Sequence, residues 1–466
     1  MNGLLHRLAK SKQYLRLTPF DTSTLEGRTR ELHRRAVLTT ASSAFSRLFT
    51  FAVSIISLRV ALPYLSAERY GVLSAVISFT GFLGFADFGI GNGLLSKIAR
   101  LHAINDKRGL AQLVSNAFAF LLVLGVVIAI VLTAIFSTIP LSWLFNGASD
   151  SVLGEARTTL LIAILLFSVL LPLGVVQRVY LGLQEGYTWH LCGIPFVGAG
   201  LAAVLYLPHI EGGIPAFLLA TWGMQSLGSI PLLLSLRSRG FLVLPSARLW
   251  RDREFRELLS AGGFFFVVQA SSQFGWASDS VFISALLGPR AVSEFVVVER
   301  LFMLVLIPLS LISTPLWVAY SAAAATGNWA FIKQTLRRSV AGNLGIAFLG
   351  SAAIVLFGKE LAGLLTAGHV VPQSGFLMSY ALWTLLGAWN LAMVMYLNGL
   401  QVFAPQFWTT SAFAVLATLL KVTILPRAGV QSISSINVAT FVLTILIPFA
   451  TIFRRRVYGV RQQHSV

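Results

Sequence analysis

Apolar runs of about 20 residues recur along nearly the whole chain, and short polar connections separate them. A run of this length forms a helix that can cross a hydrocarbon core roughly 30 Å thick. The alternating polarity that is typical of membrane barrels is not the pattern seen. We therefore expect an all-α polytopic membrane protein with twelve spans, at residues 37–62, 70–92, 112–138, 158–183, 190–209, 214–236, 261–287, 291–320, 339–358, 374–400, 405–425 and 430–452.

Charge is sparse and unevenly distributed. Of 466 residues, 56% are hydrophobic and only 11% are charged, against about 25% charged in soluble domains. The net charge of +18 does not indicate a nucleic acid partner, because 25 of the 35 basic residues lie in alternate connections and the termini, and only 5 lie in the opposite loops. This asymmetry predicts that both termini are cytoplasmic.

The longest connection divides the chain into two sets of six spans. We expect a cytoplasmic basic arm at 1–36, an N-terminal lobe at 37–236, a cytoplasmic linker at 237–260, a C-terminal lobe at 261–452 and a basic tail at 453–466. Leu65 aligns with Leu287 at an offset of 222, and Asn105 aligns with Asn328 at an offset of 223. Similar offsets in two loops predict a duplicated six-helix unit with the two copies in the same orientation.

Two arginines fall near the middle of the predicted membrane. Arg47 lies about 15 Å into the first span and Arg300 about 14 Å into the eighth, at 1.5 Å per residue. Ionisable groups at this depth are costly, so they face the bundle interior and mark function or a buried pair that serves packing. We predict that both arginines bind substrate, with structural pairing as the alternative.

Three further basic residues lie nearer the membrane surfaces. Arg59 and Lys421 are close to the outer side and Arg178 is close to the inner side. They are candidate substrate-binding residues, although snorkelling to the surface also explains them. Together with the two central arginines they outnumber the acids in the spans, which favours an anionic substrate. Arginine in particular binds phosphate through two parallel hydrogen bonds.

The acids in the spans are Asp87, Asp279 and Glu299, and we predict coupling or gating roles for them. Asp87 lies in the stretch GFADFGIGNGLLSKIAR, near the cytoplasmic mouth. Its glycines allow close helix packing or a break near the end of the span. The alternative for Asp87 is a helix-end salt bridge with Lys97 or Arg100.

Several motifs are missing from the sequence. There is no GxxxxGK[ST] loop and no cluster of metal-ligand residues, and the single cysteine, Cys192, lies in an apolar span. We therefore expect no ATPase activity, no metal site, no cofactor and no enzymatic reaction. Trp389 and Asn390 in the tenth span are candidates for contact with sugar, with core packing as the alternative.

Three segments carry a resemblance to a known family. FADFGIGNGLLSKIA, LPYLSAERYGVLSAV and VVVERLFMLVLIPLSLISTPLWVAYSAA resemble the Wzx-type polysaccharide flippases of the MOP exporter superfamily, and the resemblance covers roughly residues 36–452. It implies two six-helix lobes around a V-shaped cavity that opens alternately to each side. It also implies that Arg47 and Arg300 line this cavity and that Asp87 is the family's motif carboxylate.

The resemblance further implies a polyprenyl-pyrophosphate-linked oligosaccharide as substrate, with a proton or sodium gradient as the driving force. We expect an inner-membrane flippase for O-antigen or exopolysaccharide that contacts the bilayer and associates with polymerase and chain-length machinery. Two alternatives remain at this point. One is a multidrug antiporter, which would favour an acidic cavity for its cationic substrates. The other is an integral-membrane enzyme that acts on polyprenyl-linked sugars.

Overall fold

The structure, a computed structural model, describes residues 18–21, 23–243, 266 and 269–451, so half of the basic arm, most of the linker and the whole tail lie outside it. The described residues are helical and contain no strand. The helices are α1 Leu25–Phe82, α2 Ile90–Ala103, α3 Lys107–Thr138, α4 Asp150–Gly182, α5 Gly186–Tyr206, α6 Ile214–Ser238, α7 Asp279–Leu287, α8 Pro289–Ala325, α9 Trp329–Thr366, α10 Ser374–Gly399, α11 Ala404–Ala428 and α12 Ser432–Thr451.

Ten helices in the described part of the chain are long and apolar enough to cross a membrane. The count is consistent with twelve predicted spans, because α1 covers the first two and the seventh span falls partly outside the described residues. The all-helical membrane fold is confirmed. The predicted end of the second span is wrong, since α1 ends at Phe82 and a short 3-10 turn, Leu83–Asp87, follows.

A single residue separates the two spans within α1. Ser66 has φ 70° and ψ 164°, and Pro63 precedes it by three positions. This backbone conformation breaks the helical hydrogen-bond ladder, so the chain reverses there although helix continues on both sides. The first two spans are therefore the two arms of α1.

The two lobes repeat each other in backbone conformation. Ser66 and Gly288 both have positive φ and are 222 positions apart, as are Asn105 and Gly327. The cap that follows also repeats: the side chain of Asp106 accepts a hydrogen bond from the start of α3, and that of Asn328 accepts one from the start of α9. The offset is thus 222 in both loops, and the predicted pairing of Asn105 with Asn328 was wrong by one residue, because Asp and Asn cap helices equally well.

A matching irregularity occurs in the last span of each lobe. The π-turn Leu219–Gly223 interrupts α6, and the π-turn Val442–Leu446 interrupts α12. These turns begin 223 positions apart, so the duplication extends to the end of each lobe. A third π-turn, Gln273–Ala277, precedes α7.

The lobes meet mainly through α1 and α8. Buried side chains of α1 such as Leu62 and Val72 belong to one apolar cluster with Val297 and Phe302 of α8. These positions lie in the halves of the helices that we predict to face outward. The lobes are therefore tightly packed on that side, and the space between them lies deeper in the molecule.

Candidate functional site: a cavity between the lobes

A cavity of about 630 Å³ lies between the lobes. Both arms of α1, together with α5 and α6, form the N-lobe wall, and α8 forms the C-lobe wall. The polar and aromatic residues of the wall include Ser46, Arg47, Thr50, Ser54, Ser57, Tyr70, Ser74, Ser78, Trp189, His190, Thr221, Trp222, Gln225, Glu299, Arg300 and Ser310. A cavity of this size is within the range of small-molecule sites, which are about 300–1,000 Å³.

Arg47 and Arg300 line this one cavity from opposite lobes. In the part of the chain that the structure describes, neither guanidinium has a carboxylate within 4.0 Å. The hydrogen bond that the structure gives Arg300 runs to the sulfur of Met303, at 3.5 Å, and sulfur is a weak acceptor. Both arginines therefore keep most of their donors available to a ligand.

Glu299 precedes Arg300 and also lines the cavity. The two side chains do not form an ion pair, as expected for residues about 100° apart on a helix. The cavity wall thus contains two guanidinium groups, one carboxylate and many hydroxyl groups. This composition suits an anionic ligand that also carries hydroxyl groups.

Asp87 occupies a break in the chain rather than a continuous span. Its side chain accepts hydrogen bonds from the backbone N–H groups of Gly89 and Gly91, at 2.9 and 3.3 Å, and so caps the start of α2. Phe88 and Gly89 have φ of 52° and 72° and reverse the chain at this point. The predicted break near GIGNG is present, and Asp87 stabilises it.

Arg178 faces Asp87 in a separate cavity of about 300 Å³ within the N-lobe. A Cβ atom at Gly91 would lie 2.8 Å from the carboxylate of Asp87 and 2.9 Å from Nε of Arg178. The missing side chain of Gly91 is therefore what lets these two charged groups approach one another. Arg178 does not line the central cavity, so the structure separates it from Arg47 and Arg300.

The lobes also touch at the end that we predict to be cytoplasmic. The side chain of Gln269, from the C-lobe, interacts with the carboxylate of Asp87. Beside it, Phe82, Phe85 and Phe88 pack against Phe266 and Phe274, with ring centroids 4.5 Å apart for Phe82–Phe274 and 4.9 Å apart for Phe88–Phe266. We call these five rings the phenylalanine cluster.

Lys421 and Asp279 form a buried ion pair in the C-lobe. The ammonium of Lys421 lies 2.6 Å from a carboxylate oxygen of Asp279 and donates a hydrogen bond to the carbonyl of Gly275 at 3.2 Å. Asn437 donates to the other carboxylate oxygen at 2.8 Å. Lys421 is fully buried, so the predicted snorkelling to the surface is wrong for it. Lys421 does not line the central cavity either. Its charge is matched by Asp279.

Arg59 lies on the outer half of α1 and donates a hydrogen bond to the carbonyl of Leu364 at the end of α9. It is exposed and does not line the central cavity. Of the five basic candidates, the structure therefore brings only Arg47 and Arg300 together. Of the three acids, it adds Glu299 to them.

Sequence reasoning missed the aromatic and amide groups of the cavity wall, which include Trp189, Trp222, His190 and Gln225. Their spans carry no charge that would have marked them. The tryptophan that we singled out, Trp389, packs against the rings of Phe441 and Phe449 in the C-lobe. For Trp389, the structure therefore shows core packing, which we named as the alternative to contact with sugar.

The fold is that of the transporters of the MOP superfamily. An inward-facing multidrug resistance MATE family transporter has a TM-score of 0.70 at 17% identity, covering 91% of this chain and all of the other. A MOP superfamily transporter from Pyrococcus furiosus has a TM-score of 0.65 at 16% identity, covering 91% and 96%. Lipid II flippase MurJ in an inward closed conformation has a TM-score of 0.66 at 12% identity, covering 89% and 87%.

The sequence match is more specific than these likenesses. A family model described as polysaccharide biosynthesis protein matches residues 32–320, which is more than half of the chain. The chain therefore belongs to the polysaccharide biosynthesis protein family. No curated protein matches the chain in a search of their sequences.

Proposed function

We propose that this protein is a flippase that moves a polyprenyl-pyrophosphate-linked oligosaccharide across the bacterial inner membrane. The observation that carries the proposal is the pair formed by Arg47 and Arg300, which line one cavity from opposite lobes and, among the described residues, have no carboxylate within 4.0 Å. Membership of the polysaccharide biosynthesis protein family supports it. The fold it shares with lipid II flippase MurJ is compatible with it.

The physical argument begins with the cost of moving a charged headgroup through hydrocarbon. An isolated ion in an apolar medium is unfavourable by tens of kcal/mol, and each unpaired hydroxyl adds several more. Two guanidinium groups compensate a pyrophosphate through bidentate, charge-assisted hydrogen bonds. The polyprenyl tail needs no such compensation and stays in the bilayer.

Transport then requires that the lobes separate first on one side and next on the other. On the predicted outer side, Ser293 donates a hydrogen bond to the carbonyl of Ala67 at 2.5 Å, and Arg290 lies 3.3 Å from Glu68. On the predicted inner side, the phenylalanine cluster and Gln269 bridge the lobes. Rocking of one lobe against the other would break one set of contacts while the other set holds.

We further propose that a proton or sodium gradient drives this cycle and that Glu299, Asp279 and Asp87 respond to it. Glu299 adjoins Arg300 in the cavity, so its charge state would alter how strongly that arginine attracts a phosphate. Both termini would face the cytoplasm, as the basic residues indicate. Polymerase and chain-length proteins would receive the substrate on the other side.

The proposal is tested by transport in proteoliposomes and by complementation of a flippase-null strain. Arg47→Ala and Arg300→Ala should each reduce the initial rate of flipping by about 10-fold or more, because each removes a charge-assisted hydrogen bond worth about 1.5–3 kcal/mol. Arg157→Ala is the control, because Arg157 is an exposed arginine of the N-lobe that donates a hydrogen bond to the carbonyl of Ser137 in the same lobe and does not line the cavity. Wild-type rates in both cavity variants would overturn the proposal.

A multidrug antiporter is the competing function, and the observation that favours it is the carboxylate of Glu299 in the cavity wall. Two guanidinium groups against one carboxylate disfavour a cationic substrate. If the protein exports ethidium or a similar cation, Glu299→Gln should abolish that export while Arg47→Ala preserves it.

A further inference from the structure

A side pocket of about 90 Å³ adjoins the central cavity on the N-lobe side. Six of its wall residues also line the main cavity, so the two spaces are neighbours. Arg47 itself lines only the larger space, but Ser46 precedes it in the side-pocket wall. The polar and aromatic residues of the pocket are Ser46, Thr50, Trp189, His190, Gln225 and Ser229.

These polar side chains have no hydrogen-bond partners among the residues that the structure describes. The hydroxyl of Thr50, the imidazole of His190 and the amide of Gln225 each have unused donors or acceptors. A polar group within a membrane protein is unfavourable unless water or a ligand satisfies it. Three such groups around one pocket indicate a binding surface for a molecule that is rich in hydroxyl groups.

We propose that this pocket binds the first sugar of the lipid-linked substrate, a pyranose, while Arg47 and Arg300 bind the pyrophosphate. The inference rests on the proposed function and deepens it. Trp189 supplies an apolar ring for the C–H face of the sugar, and Gln225 and His190 hydrogen-bond to its hydroxyl groups. Aromatic side chains of this kind combine a large apolar surface with a polar tip.

The dimensions agree with part of one sugar ring and not with a whole oligosaccharide. A volume of 90 Å³ is the space of about three water molecules. It admits the hydroxyl-bearing edge of one ring, and the rest of the glycan then occupies the main cavity. The side pocket therefore contributes to the choice of the first sugar, whereas the arginines recognise a group common to all such lipids.

The two lobes would then have different tasks. The C-lobe contributes Arg300, Glu299 and Ser310 to the polar wall of the main cavity, whereas the remaining polar and aromatic residues come from the N-lobe. Recognition of the first sugar in the side pocket would thus belong to the N-lobe alone. Recognition of the pyrophosphate needs both lobes, so it can be coupled to their relative movement.

The test compares the affinities of the purified protein for undecaprenyl pyrophosphate and for the same lipid carrying one N-acetylglucosamine. In the wild type, we expect tighter binding of the glycosylated lipid. Gln225→Leu and Trp189→Leu should each reduce this preference, the ratio of the two affinities, by about 3- to 10-fold, as for the loss of one or two hydrogen bonds. Trp189→Phe should retain most of the preference, because it keeps an aromatic ring.

Trp143→Leu is the matched control, because Trp143 is 78% exposed and lies in a short 3-10 turn between α3 and α4, away from both cavities. Binding of the bare lipid reports that each variant is folded. A wild type with no preference, or a preference that Trp189→Leu and Gln225→Leu leave unchanged, would overturn the sugar pocket. Failure of the wild type to bind either lipid would overturn the proposed function as well, and bare-lipid binding that survives Arg47→Ala would overturn the pyrophosphate site alone.

Discussion

At the scale of single residues, the basic side chains within the spans occur in two different environments. Arg47 and Arg300 line a cavity, and no carboxylate in the described part of the chain lies within 4.0 Å of either guanidinium. Lys421 is fully buried and is matched by Asp279 at 2.6 Å. The depth of a charged residue in the membrane does not distinguish these cases. Depth follows from the position of the residue in its own helix, whereas pairing requires a partner on a neighbouring helix.

The buried pair has a measurable effect on stability. Lys421→Met should destabilise the protein by about 3–5 kcal/mol, because it leaves Asp279 charged and unpaired inside the C-lobe. The double variant Lys421→Met with Asp279→Asn should recover most of the loss, since no buried charge then remains. Thermal unfolding in detergent, followed by size-exclusion chromatography, measures both.

If the double variant is as unstable as the single one, the pair does not act as a unit. If the double variant is stable and transports at the wild-type rate, Asp279 has no role in coupling. A stable double variant that no longer transports would support the predicted coupling role of Asp279.

At the scale of elements, the break between α1 and α2 places Asp87 where it contacts both lobes. The turn Leu83–Asp87 ends the second arm of α1, and Asp87 caps α2 while it contacts Gln269 of the opposite lobe. The carboxylate of Asp87, in an otherwise apolar stretch, thus makes one contact within its own lobe and one contact with the opposite lobe. The phenylalanine cluster joins the same two lobes through Phe82–Phe274 and Phe88–Phe266.

These two tasks of Asp87 can be separated by mutation. Asp87→Asn weakens both the cap and the contact with Gln269, whereas Gln269→Ala removes only the contact. If Asp87 is a latch of the inner mouth, both variants should change the initial rate of flipping and its pH dependence in proteoliposomes, because the latch holds while Asp87 is charged. An effect of Asp87→Asn alone would assign it to the cap, and no effect of either variant would remove the latch.

At the scale of the whole molecule, the backbones of the two lobes lie in direct contact on the predicted outer side. A Cβ atom at Gly71 would lie 1.8 Å from the carbonyl oxygen of Pro289, at the start of α8. This distance is impossible without movement of one helix. The absence of a side chain at Gly71 therefore permits the conformation in which the outer side is closed.

Gly71→Ala should shift the population toward molecules that are open on the outer side. The measurement is the rate at which a membrane-impermeant maleimide labels Ser78→Cys in the cavity, on a Cys192→Ser background. We expect faster labelling from the outside by several-fold. Gly81→Ala is the control on the same helix, because nothing lies within 4 Å of its Cβ position; equal labelling in the two variants would contradict the prediction.

The sequence alone determined the membrane class, nearly all of the spans and the duplication, because hydrophobic length and turn residues act locally. It also marked Arg47 and Arg300 as candidate site residues, since a charge at the midplane of an apolar span is conspicuous on its own. Tertiary structure decided which charges meet. It brought Arg47 and Arg300 to one cavity, separated Arg178 into another, and matched Lys421 with Asp279.

Tertiary structure also decided the polar wall of the cavity. Trp189, His190 and Gln225 lie in ordinary apolar spans, and nothing in their spacing distinguishes them from Trp389, which packs in a core. The physical reason is that a side chain becomes part of a site through the face of the helix that meets a cavity. That face is set by how the helices of the two lobes pack, and it has no local signal in the chain.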